Sequence, residues 1–132
     1  MSSIEPTMIS VSLSYTWAKP QTFNGIVSEG SYSANITSTS TSPYTVSSSD
    51  EVILVTTGAS AFTVTLPASS NSTGRKILII KADSGAGAIT VNRAGTDTIE
   101  GATSASISSQ YGKLGLVADG VSLWYDLGKG GV

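Results

Sequence analysis

The chain has 132 residues, seven basic and nine acidic side chains, a net charge of −2, and neither cysteine nor histidine. That length allows one domain with a single core plus a modest extension, with no need for a disulfide framework. The missing residue types exclude thiolate metal sites and imidazole acid–base chemistry, and the slightly acidic balance argues against nucleic acid as a partner.

Residues 1–43 differ in texture from the rest. Met1 to Pro6 lacks the basic start and apolar stretch of a signal peptide. Ile9, Val11, Leu13 and Tyr15 alternate with Ser10, Ser12, Ser14 and Thr16. A period of two predicts a half-buried strand. Trp17, Phe23, Ile26 and Val27 follow around the turn signals Lys19-Pro20 and Asn24-Gly25. A short segment cannot bury two faces by itself, so this stretch is expected to be an extended arm that packs on another surface. Ser38 to Pro43 is a low-complexity connector, and we place the boundary there: an arm over 1–43 and a β-domain over 44–132.

From Tyr44 on, short strands recur at regular spacing. Tyr44-Thr45-Val46 is brief, and Glu51 to Thr57 carries Val52 to Val55. Phe62, Val64 and Leu66 alternate with threonines until Pro67, which cannot donate to a ladder and so ends a strand at a sheet edge. Gly74 opens the run Arg75 to Lys81, whose centre, Ile77 to Ile80, is four consecutive large aliphatic residues. A short β-branched run between turn residues predicts a central strand buried on both faces. Ile89 and Val91, Ile99, Ile107, then Leu114 to Ala118 mark further strands. Asp119-Gly120 predicts a two-residue hairpin, and Val121 to Leu127 the last strand. Gly101 and Gly120 supply positive φ in tight turns, and Trp124 a large core side chain with one polar handle. Eight or so strands with no helical period predict an all-β, antiparallel β-sandwich or jelly-roll-like domain behind an N-terminal arm.

Taken in order, Tyr44-Thr45-Val46, Asp50 to Val55, Val64 to Pro67, Gly74-Arg75, Ile79 to Lys81, Thr98 to Gly101, Asp119-Gly120 and Trp124-Tyr125 form a familiar set. It resembles the small β-domain found at the surface of tailed-bacteriophage particles, in tail fibres, tail spikes and head-decoration or head-fibre proteins. The resemblance covers about residues 44–127. It implies a homotrimer located on the virion and assembled in the cytoplasm of a bacterial host. The matching residues are a folding pattern, and no active site comes with them.

Two roles are weighed. One is a capsid decoration (cement) protein that trimerises on the head and holds the major capsid protein through Ile9, Val11, Leu13, Tyr15, Trp17, Phe23 and Ile26. Such an apolar, strand-like arm suits addition to another protein's sheet edge. The other is a small tail-fibre or baseplate receptor-binding protein that recognises host saccharides. The first is favoured, because no shaft of repeats or heptads is present and only Tyr32, Tyr44 and Tyr111 are expected as exposed aromatics. No enzymatic activity, cofactor or metal is expected. Asp97 and Glu100, or Asp50 and Glu51, sit as close in sequence as a catalytic carboxylate pair could, but in turns such groups mostly bond backbone or face solvent. Asp83 and Asp97 match no calcium-loop spacing. Arg75, Lys76 and Lys81 are expected to solvate strand ends rather than meet an acidic partner. Asn35-Ile36-Thr37 and Asn71-Ser72-Thr73 fit the glycosylation pattern and are read as ordinary strand and turn chemistry. No apolar run approaches the roughly 20 residues of a bilayer span.

Overall fold

The computed structural model describes residues 33–128. These contain ten strands: β1 (Ile36–Thr39), β2 (Tyr44–Thr45), β3 (Val52–Val55), β4 (Phe62–Thr65), β5 (Lys76–Lys81), β6 (Ile89–Asn92), β7 (Thr98–Ile99), β8 (Ser104–Ile107), β9 (Lys113–Ala118) and β10 (Leu123–Asp126). A single 3-10 turn, Ser69–Asn71, is the one helical element among them. The all-β class follows from the residues expected to produce it. Strands carry alternating apolar positions, and Gly, Pro, Asp and Asn fill the connections.

The strands form a six-stranded sheet, in the order β1-β3-β5-β9-β10-β7, and a four-stranded sheet, β2-β4-β6-β8. Both are mixed, which corrects the antiparallel expectation. β1, β3 and β5 run parallel, and so do β2, β4 and β6. Antiparallel pairing joins β5 to β9, β9 to β10 and β6 to β8. The reason lies in the connections. From β1 to β8 successive strands alternate between the sheets; the crossovers deliver β3, β4, β5 and β6 parallel to the strand two steps before, while β8 returns antiparallel to β6 and β7 pairs with β10 instead. Only β9 and β10 are consecutive strands that pair with each other.

Both sheets feed one buried cluster. The six-stranded sheet contributes Ile53, Val55, Ile77, Ile79, Leu114, Leu116 and Trp124, and the four-stranded sheet Phe62, Val64, Ile89, Val91 and Ile107. Each such side chain contributes roughly 1.5–3 kcal/mol relative to exposure. β5 is central, as expected, with β3 and β9 on either side. It is not buried on both faces, however. Ile77 and Ile79 point into the core, while Leu78 and Ile80 are only half-buried on the other side. β1 lies inside the stretch read from the sequence as arm, yet it forms the edge of the six-stranded sheet, with Ile36 opposite Val52. A compact unit begins at Ser33.

The β9–β10 hairpin is wider than two residues. Asp119 Oδ1 accepts the backbone N–H groups of Val121, Ser122 and Leu123, at 2.8, 3.1 and 3.0 Å, so one carboxylate shapes the loop. Gly120 has φ 85°, and a Cβ there would stand 2.2 Å from Thr73 Oγ1. Gly120→Ala is therefore expected to lower stability by about 1–3 kcal/mol in urea titration, from overpacking and left-handed backbone together. Gly101 has φ 90°, as its turn role requires, and follows Glu100 at φ 47°.

Candidate assembly surface

The outward sides of the two sheets differ in chemistry. On the four-stranded sheet they carry Thr63 and Thr65 of β4, Thr90 and Asn92 of β6, and Ser104 and Ser106 of β8. On the six-stranded sheet the outward positions of β3 are Val52 and Leu54, those of β5 Lys76, Leu78 and Ile80, and those of β9 Lys113, Gly115 and Val117. The register places Val52 beside Leu78, and Leu54 beside Ile80. Ile36 extends this face at β1, and Tyr125 and Leu127 extend it at the other side; these three are 59, 48 and 54% exposed. Val52, Leu54, Leu78, Ile80 and Val117 are half-buried, and hydrophobic side chains standing in rows on the outer face of a sheet are the usual mark of an interaction surface.

The residues expected to dock on a capsid (Ile9, Val11, Leu13, Tyr15, Trp17, Phe23 and Ile26) lie outside the described residues, as does Tyr32. Sequence reasoning missed the sheet face because it is built from positions far apart in the chain. The available signals were the uninterrupted runs Val52 to Val55 and Ile77 to Ile80, each too apolar for a strand with one wet face.

The charged groups noted in the sequence are mostly structural. Lys81 is fully buried, correcting the expectation that it solvates a strand end. It occupies the inward position after Ile77 and Ile79, and its Nζ donates to Thr57 Oγ1 at 2.8 Å, Gly85 O at 2.8 Å, Asp83 Oδ1 at 3.0 Å and Asp83 O at 3.1 Å. Asp83 in turn accepts the backbone N–H groups of Thr57 at 3.0 Å and Gly58 at 2.8 Å. Those two donors, then Lys81, hold its carboxyl well below the usual carboxylate range. Arg75 donates to the carbonyls of Ser47 and, at 2.8 Å, Asp50. Lys76 is exposed at the start of β5.

Asp50 ties the edge strand to the fold. Its carboxylate accepts Thr37 Oγ1 at 2.6 Å, Tyr44 OH at 2.7 Å and the Ser47 N–H at 2.7 Å. Burial works against its charge, but the bonds from Thr37, Ser47 and Tyr44 outweigh it and keep the carboxyl below its ordinary 3.8. Burial, then Asp50, raises the Tyr44 phenol, so Tyr44 is engaged rather than free. Asp97 accepts the Ser69 N–H at 2.7 Å, and Glu100 accepts the Asp126 N–H at 2.8 Å. Both carboxylates thus bond backbone.

Asp50, Asp83 and Asp119 all have depressed values in the folded chain. Their contribution is complete above the unfolded value near 3.8 and is lost as pH falls through the folded values. Thermal midpoints are therefore expected to be flat above about pH 5 and to drop below about pH 4. Asp50→Asn should make that drop shallower; an unchanged acid profile would show that Asp50 is not one of the linked groups.

A cleft of about 580 Å³ opens between β7, β8 and β9, lined by Glu100, Ser104, Ser106, Lys113 and Asp126 among others. Among the described residues no group of three or more acidic side chains is placed to hold a metal ion. No described helix is long and apolar enough to cross a membrane. Comparison with known proteins found no matching family model, no matching curated protein and no matching solved structure.

Proposed function

We propose that this is a structural protein of a bacteriophage virion: a capsid decoration protein whose subunits trimerise through the β-domain and whose N-terminal segment holds the major capsid protein. The observation that carries the assembly role is the apolar outward face of the six-stranded sheet, whose central side chains are only half-buried within the single chain. The phage assignment rests on the sequence resemblance. In this reading the two sheets form a sandwich around their common core, the protein is not an enzyme, and it acts at the capsid surface without cofactor, nucleic acid or membrane.

The full-length protein should sediment with particles lacking it. Val11→Asp with Leu13→Asp should abolish that binding, lowering affinity at least tenfold, and leave the far-ultraviolet spectrum unchanged. Undiminished binding would move the capsid contact away from the N-terminal segment.

The cleft beside Glu100, Lys113 and Asp126, with its serine hydroxyls, favours a second reading as a tail-associated binder of host saccharides. A glycan array probed with the full-length protein separates the two. Reproducible saccharide binding lost in Lys113→Ala would support the second reading.

A further inference from the structure

We propose that the apolar face of the six-stranded sheet is covered by a second copy of this chain in a head-to-tail contact, with Ile36 of one copy seated in a hollow beside Gly115 of the next. Six strands at about 4.8 Å spacing and some five residues at about 3.3 Å give a flat area on the order of 400 Å². A head-to-tail ring shares that area between two neighbours, so each contact is small against the roughly 800 Å² that one partner gives to a standard interface, and association rests on closure of the ring. Its charges sit at strand starts: Lys76 opens β5 and Lys113 opens β9, both exposed. Desolvating the centre therefore strands no ionised group.

The two ends of the face are different and complementary. At the β1 end Ile36 projects, 59% exposed. Toward the β10 end Gly115 leaves the sheet without a side chain, between Leu78 and Leu127; a Cβ placed there would be 3.7 Å from each. That is a hollow with apolar walls, flanked by the exposed Tyr125. A projecting aliphatic residue at one end and a hollow at the other make a heterologous contact, which closes into a ring when repeated by rotation. Closure at three subunits rests on the assembly reading above; the contact itself does not.

The absence of cysteine gives a clean test in the full-length protein. β1 and β10 are separated by β3, β5 and β9. Positions 36 and 127 of one chain therefore lie roughly 19 Å apart across the sheet, beyond the ~7 Å that a disulfide can bridge. In Ile36→Cys with Leu127→Cys, mild oxidation is expected to give covalent species up to the size of the ring on non-reducing gels, with neither single variant cross-linking. Gly115→Ala adds a Cβ with only ordinary contacts to its own chain, so it should keep the wild-type spectrum while weakening association at least tenfold by light scattering. Dimers from Leu127→Cys alone would mean a symmetric contact and overturn the proposal. So would a monomeric wild-type protein, a double-cysteine variant that fails to link, or unchanged association of Gly115→Ala. Because every measurement uses the isolated protein, failure to bind particles would overturn the capsid role and leave this contact standing.

Discussion

Lys81→Ala is expected to remove about 3–5 kcal/mol of folding stability, a large fraction of the 5–15 kcal/mol typical of a domain. The ammonium is fully buried and is the common donor to Thr57, Asp83 and Gly85, which belong to the turns leaving β3 and β5. Those turns are in close contact: a Cβ at Gly85 would stand 2.1 Å from Gly58 O. Removing the side chain leaves a cavity and several acceptors with one donor fewer, and breaking one half of a buried pair costs more than the pair contributes. Lys81→Met keeps much of the stem's packing and loses only the donors, so it should fall between wild type and alanine. Urea unfolding by far-ultraviolet circular dichroism measures all three. A loss under 1 kcal/mol for Lys81→Ala would show that water replaces the ammonium without strain.

Trp124→Ala should cost a similar 3–5 kcal/mol, as deletions of buried aromatic side chains do. Trp124 is fully buried, the one core residue of β10, and its partners there are Ala118 of β9 and Ile99 of β7. Its indole Nε1 has no acceptor among the described residues. The expected polar handle therefore holds nothing there, and Trp124→Phe forfeits size but no hydrogen bond. Phenylalanine should cost at most half as much as alanine, read from the same urea midpoints. Equal losses would mean that the indole N–H is satisfied in solution, and that its bond rather than its bulk fixes the strand.

Local chemistry alone determined the all-β class and most of the places where strands begin and end, though not β1, which runs into the stretch read as a connector. Alternation of period two and the Gly, Pro and Asp signals act within a few residues, so Pro67, Gly101 and Asp119-Gly120 mark real boundaries, although the strand before Pro67, β4, lies between β2 and β6 and not at the expected sheet edge. The central place of β5 was also legible, because a run as apolar as Ile77 to Ile80 needs neighbours on both sides. The pairing was not. Turn residues say that the chain reverses or crosses, but not which sheet receives the next strand, and so parallel ladders replaced the expected hairpins. Nor could the sequence say which half of an apolar run faces inward, since shifting parity by one residue exchanges the faces without changing the composition. Only the fold puts Ile77, Ile79 and Lys81 inside and Leu78 and Ile80 outside. Lys81 looked like a solvated strand end because its acceptors, Thr57 and Gly85, come from two separate turns. The outer face that unites Ile36, Leu78, Gly115 and Leu127 exists only once distant strands are in register, because lateral neighbours in a sheet are set by tertiary pairing and not by order along the chain.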